Sequence, residues 1–146
     1  MKKLICAMSV IPSLLAFGSA VAGPPVEVTF KNLSANTVKL QLTNANENST
    51  YFIAKPSPDK EVPPGQSIRF TVQRIVSPDV NGAMLRYSDG HKTCAFSTTF
   101  VLTMMSGGIT VPKWSKTATP SGGAVCTAVN SGFSGNYAWK AEFTMK

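Results

Sequence analysis

The sequence predicts an all-β protein, an antiparallel β-sandwich or small barrel of about eight short strands with one disulfide. Three observations predict this fold. Apolar and polar residues alternate with the period of a strand, and turn-forming Gly, Pro, Asn and Asp residues separate the alternating runs. Two cysteines remain for pairing once an N-terminal segment is set aside.

That N-terminal segment has the pattern of a cleavable secretory signal. Lys2 and Lys3 give it a positive start, and residues 4–17 are mostly apolar and carry no charge. The residues that follow are small, and Ala20-Val21-Ala22 fits the pattern that a signal peptidase reads. We therefore predict cleavage after Ala22 and a periplasmic or secreted, bacterial protein.

The predicted domain organisation is a signal peptide at residues 1–22 and a single β domain at residues 23–146. The alternative is an N-terminal membrane anchor, which needs about 20 apolar residues. Pro12, Pro24 and Pro25 interrupt the apolar stretch, which disfavours a spanning helix.

Cleavage changes both the charge and the cysteine count. The whole chain has 14 basic and 7 acidic residues and three cysteines. Loss of Lys2, Lys3 and Cys6 leaves 12 basic residues and the pair Cys94 and Cys126. An even pair in an oxidising compartment predicts a disulfide, and the alternative is a pair of free thiols with one nucleophile.

The alternating runs give the predicted strands in order. The first two runs, residues 26–31 and 38–43, form either a hairpin or a pair across two sheets. The remaining predicted strands are residues 51–54, 67–73, 83–87, 93–99, 109–114 and 137–145. Asp89-Gly90 is a strong hairpin signal. Residues 44–50 and 113–125 are expected to be loops, residues 100–105 are expected to be buried, and no helix is predicted.

The sequence offers little that points to catalysis. Its single histidine, His91, follows Asp89 and Gly90 in a predicted turn, whereas catalytic bases usually lie in pockets with orienting partners. The seven acidic residues are scattered, and no calcium-loop or nucleotide-binding spacing is present. We therefore predict a protein that is not an enzyme and has no metal or cofactor, and a cryptic hydrolase is the last alternative.

The C-terminal third combines cations with indole rings. The predicted interaction surface consists of Lys113, Trp114, Lys116, Trp139 and Lys140. Lysines beside aromatic rings suit phosphate-bearing surfaces, and an exposed Trp114 would act as an interfacial anchor for a bilayer. In the alternative, Trp114 packs over the sandwich edge and the lysines only solubilise. Nucleic acid is not an expected partner, because no aromatic stacking platform is present.

Two resemblances extend these predictions. The first two strands, followed by Pro63-Pro64-Gly65 and an alternating strand, resemble small lipid-binding sandwiches of the aegerolysin type, which implies a membrane-active function. Exported one-disulfide β domains also resemble pilus subunits in architecture, and the last strand is expected to leave a free edge for pairing.

Three functions follow in order of preference. The first is an exported non-enzymatic binding protein, acting as a protein-interaction module such as an inhibitor, an immunity-type protein or an assembly subunit, with an unknown protein partner. The second is a membrane-active or lipid-binding sandwich with an anionic lipid or membrane surface as partner. The third is the cryptic hydrolase.

Overall fold

Alternation of apolar and polar residues produces two facing sheets in the computed structural model, which describes residues 21–146. The predicted signal peptide lies outside the described residues except for its last two positions. The strands are β1 (Val26–Asn32), β2 (Val38–Leu40), β3 (Glu61–Val62), β4 (Ser67–Val72), β5 (Val80–Ser88), β6 (Thr93–Met104), β7 (Thr110–Ser121), β8 (Cys126–Ser131) and β9 (Trp139–Met145). One helix, α1 (Ala45–Ile53), lies between β2 and β3.

The first sheet has the order β4-β1-β9-β8 and the second the order β3-β2-β5-β6-β7. Strand pairs are antiparallel except β1 and β9, which run parallel from Val26 opposite Trp139 to Asn32 opposite Met145. The two sheets remain separate, so the sandwich is confirmed and the small barrel is not formed. The first two predicted strands belong to different sheets.

The core lies between the sheets and follows the predicted period. Along β9 the buried residues alternate with exposed or half-buried ones, and β1 and β5 show the same pattern. Phe30 of β1 stacks on Tyr87 of β5 with ring centroids 4.2 Å apart, and Phe96 of β6 stacks on Phe143 of β9 at 4.9 Å. Aromatic pairs across the two sheets therefore fix their spacing.

The helix α1 replaces the loop predicted at residues 44–50 and most of the strand predicted at residues 51–54. Asn44 caps it by accepting a hydrogen bond from the Glu47 amide at 2.9 Å, while Glu47 Oε2 accepts one from the Thr43 amide at 2.7 Å. Glu47 also accepts a hydrogen bond from Arg86 Nε of β5 at 2.8 Å. The buried residues of α1, Glu47 and Thr50, are polar, so no apolar stripe marks the helix in the sequence.

Strand β7 replaces most of the loop predicted at residues 113–125. It pairs with β6 over all 12 of its residues, and one of its two edges has no neighbouring strand in the sheet. An edge strand buries little, so its Ser and Thr residues need not alternate with apolar ones. The end of β6 and the turn after it are also exposed: Phe100 is buried as expected for residues 100–105, but Met104 and Met105 project into solvent.

The last strand does not leave a free edge. β9 pairs with β1 on one side and with β8 on the other. The hydrophobic face of the C-terminal strand is needed at the centre of the first sheet. The edges of the two sheets are instead formed by β4, β8, β3 and β7.

The predicted disulfide is confirmed. Cys94 of β6 and Cys126 of β8 are bonded, with their Cα atoms 5.7 Å apart. The bond therefore links the second sheet to the first. It lies near the β5–β6 turn and Met145, the last residue of β9, and we call this part of the molecule the disulfide end.

The β5–β6 connection is the hairpin that Asp89-Gly90 predicts. Asp89 Oδ2 accepts a hydrogen bond from the Asn36 side chain, and Oδ1 accepts one each from the backbone amides of Lys92 and His91. These bonds, the one from Asn36 first, lower the pKa of Asp89 to about 2. The carboxylate thus favours the folded turn only while it is ionised.

Removal of the disulfide is expected to destabilise the fold. The bond closes a loop with a sequence separation of 32 residues, and the chain-entropy model gives such a loop about 3–4 kcal/mol. The double variant Cys94→Ala/Cys126→Ala should lose about that much free energy of unfolding, measured by urea titration. Reduced wild-type protein should unfold at a similar urea concentration. Equal stability of the variant and the oxidised protein would contradict the assignment.

Asp89 is expected to contribute to acid sensitivity. Its pKa is about 2 when folded and about 3.9 when unfolded, so its stabilising contribution is complete above about pH 4 and disappears as the pH falls toward 2. The wild-type melting temperature should fall over this window, and Asp89→Asn should show a shallower fall. Asn36→Ala, which removes the first partner, should flatten the profile in the same direction. An unchanged slope in both variants would refute this role.

Candidate interaction site

One end of the sandwich gathers loops from both sheets. Strand registers place Val26 beside Val72 and Trp139, and Val80 beside Val101. Residues 73–79, the β6–β7 turn and residues 132–138 therefore lie together at the end opposite the disulfide.

The asparagine side chain of Asn81 holds this end together. Its Nδ2 donates to the Pro24 carbonyl at 2.7 Å and to the Val72 carbonyl at 2.9 Å. The Gly23 amide donates to the Arg74 carbonyl at 2.9 Å. A Cβ at Gly23 would lie 2.7 Å from the Val80 carbonyl oxygen, so the first residues of the predicted mature domain pack tightly against the start of β5.

Exposed apolar side chains concentrate at this end. Of the 15 large apolar side chains that are exposed among residues 21–146, ten lie here, and we call their surface the apolar end. Its members are Phe52, Ile75, Val76, Val80, Val101, Met104, Met105, Ile109, Val111 and Phe133. Single exposed apolar residues are ordinary, whereas a concentration of them marks a binding surface.

The β6–β7 hairpin projects beyond the rest of its sheet. β5 begins at Val80, opposite Val101, whereas the β6–β7 pairing continues to Met104 opposite Thr110. Residues 93–112 contain no charged residue. The tip closes through a hydrogen bond from the Met105 amide to the Ile109 carbonyl at 2.8 Å. The hairpin therefore presents an uncharged tip whose methionine and isoleucine side chains are largely exposed in the described part of the chain.

An aromatic cluster supports the base of the hairpin. Trp114 is half-buried and packs against Phe100, Phe133 and Tyr137, with ring centroids 5.5, 4.8 and 6.3 Å away. Its Nε1 is buried and has no hydrogen-bond partner among the described residues. This arrangement matches the alternative in which Trp114 packs over the sandwich edge, so Trp114 positions the hairpin rather than projecting from it.

The other predicted surface residues separate in the structure. Lys113 and Lys116 lie exposed on β7 beside Trp114. Trp139 is only 2 % exposed, and its Nε1 donates to Thr98 Oγ1 at 2.8 Å, so it belongs to the core and cannot be part of the surface. Lys140 lies on the outer face of the first sheet, where its Nζ is 3.6 Å from Glu27 Oε1.

Ion pairs involve every glutamate of residues 21–146 but leave cations unpaired at both ends of the sandwich. Each of the four glutamates in the described chain forms an ion pair with a lysine or arginine, and Glu27 forms two. The ion pairs are Lys31–Glu142, Lys39–Glu61, Arg69–Glu27, Arg86–Glu47 and Lys140–Glu27. Four cations without such a partner among residues 21–146 lie at or beside the apolar end, namely Lys55, Arg74, Lys113 and Lys116. Asp79 is the acidic residue of the adjoining loop.

The described residues contain no cluster of three or more His, Cys, Asp and Glu side chains that could hold a metal ion. His91 is exposed in the β5–β6 turn at the disulfide end, far along the sandwich from the apolar end. Within residues 21–146, no helix has the length and apolar character needed to cross a membrane.

Sequence reasoning missed the residues that dominate this end. Met104 and Met105 belong to a run that the sequence predicts to be buried, Ile109 belongs to a predicted strand, and no local pattern singles out Arg74 or Ile75. One signal was available: a run of 20 uncharged residues, 93–112, with Gly107-Gly108 inside it. Two strands joined by glycines predict a hairpin, and a hairpin tip is normally exposed.

No protein-family model matches this chain, and no curated protein shows significant sequence similarity to it.

Proposed function

We propose that this protein is an exported, non-enzymatic lipid-binding protein that docks on a membrane surface through its apolar end. The observation that carries the proposal is the projecting β6–β7 hairpin with its uncharged, apolar tip. The Cys94–Cys126 disulfide supports an oxidising, extracytoplasmic location, which agrees with the predicted export signal.

The tip has the chemistry that insertion into a lipid interface requires. Met104, Met105 and Ile109 are 73 %, 57 % and 65 % exposed. Full burial of such a side chain is worth about 1.5–3 kcal/mol. Because the tip carries no charge, insertion avoids the large cost of desolvating an ion. Lys113 follows within the same hairpin, where its long side chain can reach back to the headgroups.

The support of the hairpin favours docking without rearrangement. Trp114 and Phe133 pack together at its base, and β6 continues directly into the core through Phe100. A rigid, preformed element loses little conformational entropy on binding. The sandwich therefore holds the apolar tip in position before it meets a membrane.

A protein-interaction module is the second candidate, and β7 is the feature that favours it. This strand is 12 residues long and forms an edge of its sheet, where another chain could add a strand. However, Pro112, Lys113, Lys116 and Pro120 lie within it, and prolines and lysines are common devices against edge pairing. The exposed apolar tip of the β6–β7 hairpin, residues 104–110, contains neither proline nor lysine, so lipid docking is the better-supported function.

Polar substitution of the tip should weaken binding to vesicles. Ile109→Ser and Met104→Ser are each expected to lower partitioning into phosphatidylcholine vesicles about tenfold, because each removes roughly 1.5 kcal/mol of apolar transfer energy. Co-sedimentation over a range of lipid concentrations would measure the change.

The matched control is Leu33→Ser, which changes a side chain of comparable exposure at the disulfide end. Leu33 is 54 % exposed, and its amide bonds to the Met145 carbonyl. This variant should partition like the wild type. The proposal is refuted if the wild-type protein does not bind vesicles. It is also refuted if Leu33→Ser weakens binding as much as the tip variants do.

A further inference from the structure

A groove lies between the C-terminal turn of α1 and residues 73–76 at the apolar end. Its volume is about 270 Å³. Ile53, Ile75 and Val76 supply apolar walls, and Lys55 and Arg74 are its charged members. No acidic residue lines it. The groove therefore combines an apolar surface with two positive charges.

Arg74 is held in position by uncharged partners. Its Nη1 donates to Ser49 Oγ at 2.5 Å, and its Nε donates to the Gly82 carbonyl at 3.4 Å. A guanidinium has five N–H donors, so donors remain after these bonds. Neither partner is a carboxylate, and Arg74 has no ion pair within the described chain. Its positive charge is therefore not neutralised by a carboxylate among residues 21–146.

Lys55 adds a second positive charge beside it. The residue is exposed and is fixed by backbone hydrogen bonds in both directions with Thr71, each 2.9 Å long. It also has no carboxylate partner among residues 21–146. The C-terminus of α1 contributes about half a negative charge near this point. Two full cations outweigh that partial charge, so the groove favours an anion.

We propose that this groove binds the phosphate headgroup of an anionic lipid, with the start of one acyl chain along Ile53, Ile75 and Val76. The inference rests on the proposed docking function and names its lipid class. Lys55 and Arg74 supply the charge complementarity, and the apolar walls distinguish a lipid from free phosphate. Whole-ligand pockets usually hold about 300–1,000 Å³, so this smaller groove suits a headgroup rather than an entire lipid.

Vesicles of two compositions separate this inference from the function on which it rests. The purified protein is titrated with phosphatidylcholine vesicles and with vesicles in which part of that lipid is replaced by phosphatidylglycerol. Tighter binding to the second set, decreasing with added salt, is the expected result. Equal binding to both sets would overturn the headgroup site and leave the docking function standing. Absence of binding to either set would overturn the docking function.

A charge substitution locates the site. Lys55→Gln should lower affinity for the phosphatidylglycerol vesicles about fivefold, the effect of one basic residue at an anionic surface, and lower affinity for phosphatidylcholine vesicles much less, because that headgroup has no net charge. Lys60→Gln removes the same charge near the disulfide end and should bind both vesicles like the wild type. Equal losses in the two variants would show a diffuse charge effect and overturn the site.

A soluble lipid tests the groove independently of vesicle docking. Short-chain phosphatidylglycerol below its micelle concentration should shift NMR signals of Lys55, Ile75 and Val76 more than those at the disulfide end. Short-chain phosphatidylcholine and inorganic phosphate should each cause smaller shifts. Equal shifts from inorganic phosphate would overturn the assignment to a lipid, and shifts absent from the groove would overturn the site.

Discussion

The parallel pairing of the first and last strands is the constraint on which the sandwich depends. β1 and β9 form the centre of the first sheet and supply Val28, Phe30, Trp139 and Phe143 to the core. Because the two strands start at the same end, the residues before β1 and the loop before β9 are brought together there. The arrangement of loops at the apolar end follows directly from this pairing.

The strand lengths in the second sheet explain why the β6–β7 hairpin projects at the apolar end. β5 pairs with residues 93–101 only, and β7 carries the β6 ladder onward to Met104. The hairpin beyond Val101 therefore lacks a strand on its β5 side. Trp114 and its aromatic neighbours replace that support at the base. Without them, a two-stranded ribbon would be marginally stable in water.

Most of the fold was predictable because apolar residues recur at every second position along the strands. Runs such as Val26–Asn32 and Trp139–Met145 bury every second residue, and the sequence shows that pattern directly. The sequence did not predict helix α1, because its buried residues are Glu47 and Thr50, which pack through hydrogen bonds rather than apolar contact. Most of strand β7 was also not predicted, because an edge strand can be stabilised by backbone pairing alone and needs no alternating apolar residues.

The candidate site was less predictable than the fold because it depends on which residues share an end. Lys113 and Lys116 of the predicted interaction surface are exposed on β7. The predicted surface also includes Trp139, although the register of β9 turns that indole into the core. Arg74 and Lys55 are 19 positions apart and line the same groove because the backbone of Lys55 pairs with Thr71, three residues before Arg74. Such a meeting requires tertiary contacts that no local pattern encodes.

Because the two tryptophan side chains have different surroundings, intrinsic tryptophan fluorescence can report on binding at the apolar end. Trp139 is sealed in the core with its N–H bonded to Thr98, so its emission is insensitive to events at the surface. Trp114 lies at the base of the projecting hairpin, in contact with the exposed ring of Phe133. With excitation selective for tryptophan, a fluorescence change when a ligand covers this end is therefore expected to arise mainly from Trp114. Binding can be followed without attaching a dye to the surface under study.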